Sequence, residues 1–63
     1  MKRRDLLRHV SQQGCRFVRE GGEHSIWENP VTNRRTSIPR HNEIPDFTAL
    51  RICKQLGIPL LIH

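Results

Sequence analysis

A chain of 63 residues has room for one small domain, which excludes a dinucleotide-binding α/β fold, a barrel and any multi-domain enzyme. Its 11 Lys+Arg against 6 Asp+Glu leave a net charge of +5, a surplus that points to a polyanion or an acidic protein as partner. With 35% hydrophobic residues the core is thin and no run approaches the roughly 18 apolar residues of a membrane helix, while 2 cysteines allow at most one disulfide.

The basic opening Met1-Lys2-Arg3-Arg4 resembles the start of a secretory signal, but Asp5, Arg8 and His9 follow where an apolar stretch is required. A cytoplasmic protein with both thiols reduced is therefore expected. From Arg3 to Gln13, Leu6, Leu7 and Val10 form one apolar stripe, which predicts a helix of about three turns. Asp5 suits the positive end of that helix, and Gly14 stands where a left-handed C-terminal cap falls. Cys15 to Glu20 alternates, with Cys15 and Phe17 on one face and Arg16 on the other, and predicts a first strand. Gly21-Gly22 breaks it, His24 to Asn29 is a second strand, Asn29 to Asn33 a turn, and Arg34 to Ile38 a third strand.

Pro39 ends the sheet, and a loop runs through Ile44-Pro45. From Asp46 the period changes, with Ala49, Ile52, Cys53 and Leu56 at i, i+3, i+4 and i+7, until Gly57 and Pro59 stop a second helix. The expected architecture is α+β: an αβββα domain spanning 1–63, with a three-stranded antiparallel meander and both helices on one face. Too little apolar material exists for two cores, so the other sheet face stays open. That order, with a basic surface, suggests the double-stranded-RNA-binding shape. The apolar tail Leu60-Leu61-Ile62 is expected to pack on the first helix.

Particular residues go further than topology. Gly21-Gly22-Glu23-His24 opening the second strand, Asn29-Pro30 closing it, Arg34-Arg35, and Pro39-Arg40-His41 resemble the HicA family of toxin ribonucleases, and Ile44, Thr48, Ile52 and Gln55-Leu56-Gly57-Ile58 continue the likeness. It runs from the first helix to Gly57. Its most diagnostic part is the Gly-x-His at the second strand combined with the Pro-Arg-His after the third. The resemblance implies the toxin of a two-gene toxin–antitoxin pair, an RNA-cleaving enzyme (mRNA interferase) held inactive by a HicB antitoxin. It places the family's catalytic histidine on His24. One departure is Glu23, which stands where the family often has Ser; its carboxylate repels a phosphate but also acts on the neighbouring imidazole, so the sign of its effect on rate is left open.

The chemistry of His24 supports the same role. Imidazole takes and gives protons near neutrality, and a base that removes a ribose 2′-hydroxyl proton lets that oxygen attack the adjacent phosphorus without metal or cofactor. Cations must stabilise the phosphorane, with Arg34, Arg35 or Arg40 as candidates, and Gly22 lets a substrate approach the backbone closely. His41 is a second candidate acid or base, set against a loop histidine that caps the turn; His9 and His63 read as bystanders. Arg16, Arg19, Arg34, Arg35, Arg40 and Lys54 come from separate segments and are expected to position RNA phosphates. The same cations suit an acidic antitoxin. Cys15, Cys53 and the histidines lack the paired spacing of a zinc site, so no metal is expected. Trp27 either fills the core or stacks on a base or partner, because it and Ile26 face opposite ways in a regular strand. The alternative to an enzyme is a non-catalytic RNA-binding module of the same fold; a DNA-contacting or purely protein-binding domain is a third class.

Overall fold

The computed structural model describes residues 1–60 as α1 (Arg3–Gln12), β1 (Arg16–Gly21), β2 (His24–Asn29), β3 (Arg34–Pro39) and α2 (Asp46–Leu56). The strands form one antiparallel sheet in the order β1-β2-β3, the αβββα arrangement that the patterning predicts. β1 runs one residue beyond expectation at its far end, to Gly21, and carries a bulge between Phe17 and Arg19. Pro39 closes β3 from inside the ladder, paired with His24. An edge strand tolerates this, because the missing N–H faces away from the neighbouring strand.

Both helices stop in the same way. Gly14 (φ 88°) and Gly57 (φ 70°) adopt the left-handed conformation. Behind them the amides of Cys15 and Ile58 reach back five residues, to the carbonyls of Val10 at 3.0 Å and Cys53 at 3.1 Å. This is the Schellman closure, in which the residue after the glycine turns inward. Cys15 and Ile58 accordingly join the core.

Cross-strand partners share a face, so the register divides the sheet. Ser25 with Ile38 and Trp27 with Thr36 look one way; His24 with Pro39, Ile26 with Ser37 and Glu28 with Arg35 look the other. Arg3 of α1 bonds Ser25, and Asn29 bonds the Leu56 carbonyl of α2, so both helices cover the first face. Between them lie Leu6, Val10, Ile38, Ile44, Ala49, Ile52, Cys53 and Leu56. The question posed by Ile26 and Trp27 is decided in favour of the indole. Trp27 packs against this cluster, edge-on to Phe17 with ring centroids 6.1 Å apart, while Ile26 sits half-buried on the open face.

The thiols are buried and not joined in a disulfide. Burial, with the neighbouring Cys53 second, pushes the Cys15 thiol above its ordinary range. His9 has a structural part: its Nε2 donates to the Pro59 carbonyl at 2.8 Å and ties the segment after α2 to α1. Leu60, the first residue of the apolar tail, is exposed; residues 61–63, His63 included, and with them the rest of the expected packing on α1, lie outside the described residues. No helix among those described is long and apolar enough to cross a membrane.

Candidate active site

The turn between β1 and β2 decides where His24 stands. Gly21 and His24 are paired, leaving Gly22-Glu23 as a two-residue connection. Gly22 has φ 68° and Glu23 does not have a positive φ, the pattern of a type II′ hairpin with glycine at its first central position. A β-carbon on Gly22 would meet nothing within 4 Å, so the backbone conformation, and not crowding, calls for glycine there. His24 follows at once as the first residue of β2, exposed on the open side of the sheet. Its partner Gly21 offers no side chain to shield it. The Arg19 guanidinium crosses that position instead, with Nη1 3.3 Å from where a Gly21 β-carbon would lie.

Beneath the histidine the backbone is clamped from the helix side. Arg3 donates through Nε to the Pro39 carbonyl at 2.8 Å and through Nη2 to Ser25 Oγ at 2.8 Å. Ser25 Oγ in turn donates to Glu20 Oε1 at 3.0 Å, and Glu20 pairs with Arg40 at 3.5 Å. The Arg40 amide donates to the Glu23 carbonyl at 3.2 Å. Charge-assisted bonds of this length are among the stronger local restraints. They fix the cross-strand partner of His24 and the residues on both sides of it.

His24 opens into a depression of about 260 Å³, shared with Ser37 and Pro39 of β3 and with Arg51, Ile52 and Gln55 of α2. Gln55 accepts a bond from Thr36 Oγ1 at 2.6 Å through Oε1, which leaves its NH₂ group available as a donor. Arg51 is the residue that sequence reasoning missed. The signal was present: Arg51 and Gln55 are one turn apart, flanking the buried Ile52, so they border the stripe that α2 lays on the sheet.

The other candidates divide into separate places. Arg16 and Arg35 sit on the open face on either side of Glu28, whose side chain is only 10% exposed; both donate to its carboxylate, at 2.8 Å and 3.0 Å. The Arg16 and Arg35 hydrogen bonds hold the Glu28 carboxyl below its usual range. Arg34 is at the far end of β3, on the helix side, its Nη1 3.5 Å from the Lys54 carbonyl. There Arg34 and Lys54 accompany the C-terminal end of α2 and not the pocket. Arg40 stays near His24 through Glu20 and Glu23. His41 is exposed in the loop beyond Arg40 and makes no hydrogen bond among the described residues, so it does not cap the turn. Among those residues no three His, Cys, Asp or Glu side chains gather where they could hold a metal ion.

A family model described as the HicA toxin of bacterial toxin–antitoxin systems matches residues 3–58. Neither a curated protein nor a solved structure matches the chain.

Proposed function

Because the chain belongs to the HicA toxin family of bacterial toxin–antitoxin systems, we propose that it is a metal-independent endoribonuclease acting on single-stranded mRNA in the cytoplasm, with His24 as its general base and a HicB-type antitoxin as its inhibitor. The observation that carries this reading is the position of His24, which is exposed and opens into a pocket that also contains a guanidinium. His24 removes the proton from a ribose 2′-hydroxyl, and that oxygen attacks the neighbouring phosphorus. The bond to the 5′-oxygen breaks, leaving a 2′,3′-cyclic phosphate and a 5′-hydroxyl once the departing oxygen is protonated. His41, solvated one residue past Arg40, is the candidate donor of that proton. Arg16, Arg19 and Arg35 on the open face supply phosphate contacts without base choice, and an acidic antitoxin competes for the same surface.

The test is incubation of purified protein with single-stranded RNA in the presence of chelator. Cleavage that falls roughly 10²–10⁴-fold in His24→Ala supports the reading, since that is what a positioned acid–base group supplies. Undiminished cleavage by that variant removes His24 from the chemistry. Retardation of RNA without cleavage by the wild type favours the binding module, and preference for duplex DNA favours the third class.

A further inference from the structure

We propose that Arg51 is a catalytic residue of the His24 site, the group that holds the non-bridging oxygens of the scissile phosphate as charge builds on them. The inference rests on the ribonuclease reading and assigns its electrostatic component to a residue outside the motifs that suggested it.

Three observations converge. Arg51 and His24 line one pocket, approached from different elements: α2 on one side, the β1–β2 hairpin on the other. Every other arginine has a contact within the protein, short for Arg3, Arg16 and Arg35 and only 3.5–4.0 Å for Arg4, Arg8, Arg19, Arg34 and Arg40. Arg3 is bound to Pro39 and Ser25; Arg4 and Arg8 lie near Asp5; Arg16 and Arg35 are bound to Glu28, and Arg40 to Glu20; Arg19 and Arg34 reach backbone carbonyls. Arg51 alone among the arginines has neither an ion pair nor a hydrogen bond to a described residue. A guanidinium paired with a carboxylate offers a phosphate only the N–H donors which that pairing leaves over, whereas Arg51 keeps its whole fork. Finally, the remaining polar groups of the pocket suit an anion. Gln55, with its NH₂ group, and Ser37, with its hydroxyl, line the same pocket as donors, and no carboxylate does. A planar fork of N–H donors facing a phosphodiester at the base's own pocket is the arrangement that transition-state charge requires.

Placement on α2 also fixes the backbone from which the side chain projects. Ile52 next to it is buried in the core, and Gln55 one turn on is bonded to Thr36 of β3. The Arg51 backbone is thus held against the same strand whose Pro39 pairs with His24.

Cleavage of an RNA oligonucleotide and binding of its 2′-deoxy counterpart, which cannot be cut by this route, are measured for wild type, Arg51→Ala, Arg51→Lys, His24→Ala and, as a control of equal charge loss on α1, Arg8→Ala. The expected result is a fall in kcat of roughly 10²–10³-fold for Arg51→Ala, partial recovery in Arg51→Lys, a much smaller change in affinity for the 2′-deoxy strand, and an unchanged thermal midpoint. If Arg51→Ala cleaves no worse than Arg8→Ala while His24→Ala is inactive, the role of Arg51 is overturned and the ribonuclease reading stands. If Arg51→Ala loses cleavage only in proportion to binding of the 2′-deoxy strand, Arg51 is a docking cation and the catalytic assignment fails. A wild type that leaves RNA intact overturns both.

Discussion

Replacement of Asn29 tests how the pocket is assembled, because one side chain fastens α2 to the β2–β3 turn. Its Nδ2 donates to the Leu56 carbonyl at 2.9 Å, a buried bond at the open end of α2, while its Oδ1 accepts the Val31 amide at 3.0 Å. Asn29→Ala removes both. The first bond contributes a net of about 1 kcal/mol, and stranding a buried carbonyl adds about 1–3 kcal/mol. The Thr32 hydroxyl, 3.3 Å from the same carbonyl, keeps the second figure near its lower end. Val31 is exposed, so water replaces the other bond at little cost. The sum is about 2 kcal/mol, against a total of about 3–9 kcal/mol expected for a domain of this length. At about 4–8 °C per kcal/mol for a small domain, the melting midpoint falls by about 8–16 °C. Thermal denaturation followed by Trp27 fluorescence measures it. Asn29→Asp keeps the turn acceptor, loses the donor and sets a negative charge at the negative end of α2, so at neutral pH it is at least as destabilised as alanine. A wild-type midpoint for either variant would refute the reasoning, because it would mean that the bond to Leu56 contributes nothing to holding α2 in place.

Four further outcomes are expected. Glu28 carries a carboxyl held below its ordinary range by Arg16 and Arg35; its folded-state contribution is therefore present above the unfolded carboxylate pKa and lost as pH falls through the folded one. Glu28→Gln flattens the acid limb of a urea-midpoint-against-pH curve, and an identical limb contradicts the pairing. Gly22→Ala meets no steric obstacle but must hold φ 68°, so it loses about 1–2 kcal/mol, with Gly22→Asn milder; equal stability of alanine and glycine in chemical denaturation would rule out the turn assignment. Cys15, buried and raised in pKa, reacts slowly with iodoacetamide until urea exposes it, as peptide mass spectrometry will show; alkylation at the unfolded rate in native buffer would contradict its burial. Arg3→Ala, which releases Ser25 and the Pro39 carbonyl together, lowers both stability and RNA cleavage, and unaltered cleavage would remove the clamp from the account of how His24 is positioned.

The elements were legible because each is governed by short-range rules. The stripes Leu6-Leu7-Val10 and Ala49-Ile52-Cys53-Leu56 have a helical period, Gly14 and Gly57 are the residues that a left-handed closure requires, and Gly21-Gly22 forecast the break before β2. His24 was legible by another route, the resemblance carried by Gly22-Glu23-His24 together with Pro39-Arg40-His41; composition alone reads it as a solvated histidine at a strand start. The arginines were not legible. A count of cations says that the surface is basic, but whether each is free depends on a carboxylate distant in sequence. Arg16 and Arg35 look identical to Arg51 until Glu28 is placed between the first two.

Composition and periodicity by themselves thus determined the order of helices and strands and the covering of one sheet face by both helices, since those depend on neighbours within about a helical turn or a hairpin; the candidacy of His24 came from the family resemblance. Only the tertiary structure decided that Trp27 packs into the core while Ile26 faces outward, that His9 anchors the segment after α2, and that Arg51 shares the His24 pocket. Each of those outcomes depends on which side chains meet across long loops. Periodicity along one segment does not encode that meeting; the shared burial of both helices on one sheet face does.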